Sequence, residues 1–392
     1  AGDPILNYLV HWFENCAANE LSAERLLSFY QDLPNVPKSK GIPTTKSKSL
    51  AFRIEYAREH GWEGLSRMAE GTITDNWRTH IKSFCEFLHT KGWLDRVPIF
   101  RLTKVQKREL MVKLKKDRAT PTELQTLLSS PPFTGCKSLA RRWMTGKYYV
   151  QDYLFWTFLI LLTTGMRTGE PASIMLSDII EKDGQWYFNL YSYDPEKGRV
   201  ANKDLRQGKS ASASRMLPIH PLLILLGLLD RKRELEQMGA IWLFPEWKIY
   251  IVRKSGLVQW SRPITRSFIY FKEKYEIPRQ NLTTYWTRHW YADILDRAGL
   301  PDRTRNMLLG HALTSAPNTY GGNQGIADQY ILALQALNDP SFEAAARLLL
   351  EAKARSDKGE LVVLKPHLTK SNWVDRTKFE HLVQDFGDGD DA

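Results

Sequence analysis

Apolar residues recur at helical spacing through most of the first hundred positions. Ile5, Leu6, Leu9, Val10 and Phe13 form one such set, and Leu21, Leu26, Leu27 and Tyr30 another. Residues 34–49, PNVPKSKGIPTTKSKS, break the pattern and read as a loop. Leu50 to His60 predicts a helix stopped by Gly61. Thr74 to Thr90 predicts another, with Thr74 as its cap, Gly92 as its stop, and Trp77, Ile81, Phe84, Cys85 and Leu88 on one face.

The pattern changes after Thr120. TPTELQTLL, Thr120 to Leu128, has Pro at its first helical position and a capping residue ahead of it. Asp152 to Thr163 is an apolar run, short for a membrane span and right for a buried helix. QWYFNLYSY, Gln185 to Tyr193, alternates as a strand does, and RMLPIH, Arg215 to His220, is a second short strand. Helices are predicted over Leu222 to Met238, Thr265 to Tyr275, Thr287 to Ala298, Asp302 to Leu309 and Ile326 to Ala354. The fold expected is mainly α with a small antiparallel sheet near residues 180–220. Four segments follow: a helical domain over 1–103, a basic linker over 104–118, an α+β domain over 119–356, and a tail over 357–392.

Charge sharpens this picture. Lys and Arg outnumber Asp and Glu by 55 to 44 over 392 residues, a net charge of +11, which favours polyanionic partners. Arg101 to Arg118 carries eight basic residues against two acids. It reads either as a solvated helix face or as a strap along a phosphate backbone. In the second reading Lys104, Lys107, Arg108, Lys113, Lys115 and Lys116 contact DNA. The three cysteines lie far apart, so neither a disulfide framework nor a CxxC zinc site is expected. There is no basic stretch followed by an apolar run at the start, so no secretion signal is expected. The glycine that a phosphate-cradling loop would need five places before Gly208 is Lys203, and GxGxxG, HExxH and GxSxG are absent.

Three segments carry candidate chemistry. In TTGMRTGEPASIMLSD, Thr163 to Asp178, Arg167 precedes Glu170 by three residues, which alone would suggest an ion pair at a helix start. In TTYWTRHWYADIL, Thr283 to Leu295, Arg288 lies between Trp286 and Trp290 and alone would be a packed surface residue. In LLGHALTSAPNTYG, Leu308 to Gly321, Tyr320 follows His311 by nine residues, and a loop Tyr alone is usually a satisfied amphipathic side chain.

Taken together, their order and spacing resemble the tyrosine recombinase (phage integrase) family, whose pattern is GxRxxE, a hairpin Lys, HxxRH, then LGH followed by Tyr. The resemblance covers roughly residues 119–337. Residues 71–99 also look like the end of that family's helical core-binding domain, and LLSSPPFTG, Leu127 to Gly135, like the opening of its catalytic domain.

The resemblance implies a two-domain clamp around double-stranded DNA. It implies Arg167 and Arg288 as the catalytic arginines, His311 as the histidine of LGH, Tyr320 as nucleophile and Lys209 as the hairpin lysine, with Lys203 in reserve. Glu170 and Asp178 match the family's supporting acids, and His289 a residue that is usually structural. Tyr285 stands where the family has His, a departure that some telomere-resolving relatives resemble. A site-specific recombinase or integrase that cuts and rejoins strands through a 3′-phosphotyrosine is the implied activity, without metal, ATP or other cofactor. Partners would be duplex DNA and three further copies in a tetramer on it, from a free monomer, with accessory DNA-bending or directionality proteins as further partners and no membrane. The location implied is the nucleoid of a bacterial cytoplasm. Two alternatives stay open: a telomere resolvase or type IB topoisomerase-like strand transferase, and a decayed integrase that binds DNA without cutting.

Overall fold

The computed structural model describes residues 4–43, 49–110, 118–190, 193–194, 198–199, 215–252, 256–277, 279, 282–311, 326–379 and 384–385. The chain divides into two compact units, residues 1–115 and 116–392.

The first unit is helical: α1 Pro4–Trp12, α2 Ala23–Asp32, α3 Leu50–His60, α4 Arg78–Thr90 and α5 Lys104–Leu110. Its core gathers Ile5 and Leu9 of α1, Leu26, Phe29 and Tyr30 of α2, Ile54 of α3, and Ile81 and Cys85 of α4. Ser22 and Ser49 cap α2 and α3, their side chains accepting from the N–H groups of Arg25 and Phe52. Gly61 ends α3 at φ +76°, a conformation only glycine adopts without strain.

Two expectations need correction here. Thr74 is not a cap: a π-helical turn, Thr72–Trp77, runs directly into α4, and the Thr74 hydroxyl donates to the Glu70 carbonyl 3.1 Å away. The basic stretch is also more than a linker at its start. Leu110 of α5 is buried in the first core, and the Gln106 amide donates to the Gln31 carbonyl at 2.9 Å. Lys104, Lys107 and Arg108 on α5 are exposed, whereas Lys113, Lys115 and Lys116 lie outside the described residues.

The second unit begins with α6 Pro121–Leu128, α7 Pro131–Thr134, β1 Tyr148–Val150 and α8 Tyr153–Thr164. Thr120 and Glu123 form a full capping box at the start of α6. Next come β2 Ile179–Lys182, β3 Gln185–Leu190, β4 Tyr193–Asp194, β5 Gly198–Arg199 and β6 Arg215–Pro218. Strands β2, β3 and β6 make the antiparallel sheet in that order, with Phe188 opposite both Ile179 and Leu217. The chain continues through α9 Pro221–Leu225, α10 Leu228–Gln237, β7 Val258–Gln259, α11 Arg262–Lys274, α12 Trp286–Arg297, α13 Asp302–Leu309, α14 Ile326–Ala336 and α15 Pro340–Asp357. It ends with β8 Val362–Leu364 and β9 Gln384–Asp385.

Helix α8 is the centre of this unit. Every residue from Leu154 to Thr164 is buried, and α12 packs along it. That all-round burial is what an apolar run without a polar face demands. Among the described residues no helix is long and apolar enough to cross a membrane.

Two predicted helices are each broken in two. Gly227 sits at φ +100° between α9 and α10, and Pro340, with Asp339 capping the Ser341 N–H, restarts the chain as α15. Nor is the C-terminal segment a loose tail through residue 379. β8 pairs in parallel with β1. Arg376 is buried with its guanidinium over Trp242 at 4.1 Å and Trp260 at 5.1 Å, donating to the carbonyls of Ala172 and Phe244.

Candidate active site

The site begins where α8 stops. Gly165 ends that helix at φ +63°, with its N–H on the Leu161 carbonyl. A Cβ added there would lie 2.4 Å from Cδ1 of Tyr291 and 3.0 Å from Leu309. Conformation and space therefore both require glycine. Gly165→Ala is expected to lower the melting temperature of the second unit by several degrees, consistent with a loss of about 1–3 kcal/mol. An unchanged melting temperature would mean that α12 and α13 do not close over this turn as described.

Beyond the turn, Arg167 and Glu170 lock each other. The Glu170 carboxylate accepts from the backbone N–H of Arg167 at 2.9 Å and from its Nη1 at 3.0 Å. Glu170 opens the short 3₁₀ turn Glu170–Ser173, with Pro171 as its second residue.

Helix α12 supplies Arg288, which is only 2% exposed. Its Nη1 donates to the Gly165 carbonyl at 2.8 Å, and its Nη2 donates to the Leu309 carbonyl. Tyr285, at the start of α12, lies with its ring 5.9 Å from the Arg288 guanidinium and edge-on to His289 at 4.9 Å.

The end of α13 ties these parts together. A helix leaves its last carbonyls without partners inside the helix, and they carry partial negative charge. Here three successive carbonyls each accept from a different arginine. Leu308 receives Nε of Arg215 at 2.8 Å, Leu309 receives Arg288, and Gly310 receives Nη2 of Arg167 at 3.4 Å. Gly310 closes the helix at φ +67°, and His311 follows immediately. His311 is exposed, its N–H on the Asn306 carbonyl at 2.8 Å and its Nδ1 3.4 Å from the Asn306 side-chain oxygen.

Arg167, Arg288, Glu170 and His311, expected from the sequence, thus share one helix end, with Tyr285 and His289 beside Arg288. The Asp178 carboxylate accepts from the Met175 N–H at 2.8 Å, in the turn before β2. Lys209, with Lys203, and Tyr320 lie outside the described residues.

Sequence reasoning missed Arg215. It is 4% exposed, and its Nη2 reaches Glu170 at 2.7 Å while Nη1 reaches the other carboxylate oxygen at 3.3 Å. A signal was available. Strand alternation puts Arg215 on the same side of β6 as Leu217, which is fully buried. A charge on the inward face of a strand calls for a buried counter-charge.

Electrostatics follow from this packing. Burial alone would raise the Glu170 pKa. The charge of Arg215, then its hydrogen bonds, then the charges of Arg167 and Arg288 overcome that and hold it at about 2. Burial pushes Arg288 below the ordinary arginine value, and Glu170 offsets part of that. Three guanidinium groups around one carboxylate leave a net positive, largely dry site, suited to an anion whose charge is spread over several oxygens. Among the described residues, no cluster of His, Cys, Asp or Glu is arranged to hold a metal ion.

Comparison with models of protein families finds no match to this chain, and comparison with curated proteins finds none either.

Proposed function

We propose that the chain is a DNA strand transferase of the tyrosine-recombinase kind, a site-specific recombinase working through a covalent 3′-phosphotyrosine. One observation carries this reading. Arg167 and Arg288, 121 residues apart in the chain, are fixed on adjacent backbone carbonyls directly before His311.

Attack on a phosphodiester builds negative charge on its two non-bridging oxygens. Two rigid forks held by the backbone can meet that charge with little reorganisation. His311, exposed at the helix end, adds a donor. Tyr285 stands where a general base is usual, and its phenol is a competent hydrogen-bond donor to phosphate. Tyr320 is the nucleophile in this reading: its phenol oxygen bonds to phosphorus as the bond to the 5′-oxygen breaks, its proton passes to solvent, and the covalent ester conserves the bond energy for resealing. Lys209 supplies the proton to the departing 5′-hydroxyl. Duplex DNA is the substrate, held in part by the exposed Lys104, Lys107 and Arg108, and four copies assemble on two duplexes.

Tyr285 favours one second reading, a hairpin-forming telomere resolvase with the same covalent step. The test uses a pool of duplexes with random flanks and one nick near each candidate scissile bond, so that the released strand diffuses away. A denaturant-resistant protein–DNA adduct is expected. Sequencing the captured DNA then yields intact targets, whose products as recombinant joints, closed hairpins or relaxed circles sort the related activities. Tight binding without adduct would overturn the reading in favour of a non-cutting DNA-binding module.

A further inference from the structure

We infer that Arg215 is a positioning residue of this site, holding Glu170 and the end of α13 so that Arg167, Arg288 and His311 share one rigid frame. The inference rests on the strand-transferase reading and deepens it.

The geometry is that of a joint. Arg215 uses two edges of its guanidinium for two different parts of the chain. Nη1 and Nη2 grip the Glu170 carboxylate at 3.3 and 2.7 Å, and Nε grips the Leu308 carbonyl at 2.8 Å. Glu170 in turn holds Arg167 through its backbone N–H and its Nη1. The Leu308 carbonyl precedes the two that receive Arg288 and Arg167. Arg215 is also the first residue of β6, directly after the segment 200–214 that carries Lys209. One planar side chain thereby joins the sheet, the arginine–glutamate turn and the exit of α13.

A lysine could supply the charge but not this fork, because an ammonium group has no second edge at a fixed angle. Arg215 also differs from Arg167 in its surroundings. Its side chain is 2% exposed, against 11% for that of Arg167, so it is the more enclosed of these two.

The test compares wild type, Arg215→Met and Arg215→Lys in single-turnover cleavage of a nicked duplex recovered from the random pool, at saturating DNA and across pH. Methionine keeps much of the volume and removes both charge and fork. Arg215→Met is expected to cleave roughly 10–100-fold more slowly, as loss of outer partners of a site's contact residues does, with duplex affinity unchanged. The ratio of wild-type to variant rate should grow as pH falls, because Glu170 then loses its strongest cationic partner and protonates more readily. Arg215→Lys should recover part of the rate and keep that ratio flat. Should Arg215→Met not fold, Arg215→Lys decides alone: slower cleavage at unchanged affinity supports the role, and wild-type cleavage overturns it. An adduct in wild type together with Arg215→Met cleaving at the wild-type rate, or slowed by one factor at every pH, would overturn the positioning role only. No adduct in wild type would overturn the strand-transferase reading, and the role of Arg215 in it falls too.

Discussion

Replacing Arg288 by Ala is expected to slow formation of the covalent protein–DNA adduct by about 10²–10³-fold, the usual loss when one fixed donor to a developing oxyanion is removed. The same change acts on the fold. Arg288 is buried and serves two carbonyls, Gly165 and Leu309, that terminate different helices. Stripping a donor from buried carbonyls costs about 1–3 kcal/mol for each group left without a partner. The variant should therefore be both slower and less stable. Arg288→Lys separates the two effects. A lysine restores charge and one hydrogen bond, so stability should recover further than the rate does, since only the fork fits two phosphate oxygens. Equal recovery of rate and stability in the lysine variant would mean that Arg288 is a structural residue and does not meet the phosphate.

Replacing Glu170 by Ala is expected to destabilise the second unit by about 3–5 kcal/mol, the range for removing one partner of a buried ion pair. At roughly 2–4 °C per kcal/mol this is a fall of about 10 °C in melting temperature. The cause is the company Glu170 keeps. Arg167 and Arg215 both bond to it, and Arg288 lies within its field. Without the carboxylate, three cations share a dry space. Glu170→Gln keeps the shape and removes the charge, and its pH dependence carries the sign of the effect. The Glu170 pKa is about 2 in the fold against 4.5 ordinarily. A depressed pKa contributes stability that is fully present above the ordinary value and is lost as pH falls through the folded one. The gap in stability between wild type and Glu170→Gln should thus be constant above about pH 5 and shrink towards pH 2. A gap that does not narrow in acid would show that the fold does not depress the Glu170 pKa.

Local chemistry made some of this molecule legible from its residues. The run from Asp152 to Thr163 has no polar face, so it had to be a core helix, and α8 is one. Thr120, Pro121 and Glu123 write a helix start in three residues, and α6 uses all three. Asp302 to Leu309 followed by glycine is α13 to the residue. Arg167, Glu170, Arg288 and His311 stood out as a set by order and spacing, and they meet at one helix end.

Other features depend on partners far along the chain. β1 pairs with β8, some 214 residues later, and neither short apolar stretch announces the other. Arg376 reads as one more charge in a polar tail until Trp242, Trp260 and the carbonyl of Ala172 surround it. Arg215 likewise takes its role from Glu170, 45 residues earlier, and from the Leu308 carbonyl, 93 residues later. The breaks at Gly227 and Pro340 were readable in principle. Apolar periodicity runs on both sides of each, and the backbone breaks at the single residue between.

The central chemical step is an ester between DNA and one side chain. Its most direct test is to capture the adduct on a nicked duplex, digest the protein and the DNA, and map the modified peptide by tandem mass spectrometry, with Tyr320→Phe run in parallel. The mechanism requires a nucleotide 3′-phosphate on Tyr320 and no adduct from the phenylalanine variant. A modified residue other than Tyr320, or undiminished adduct from Tyr320→Phe, would contradict it.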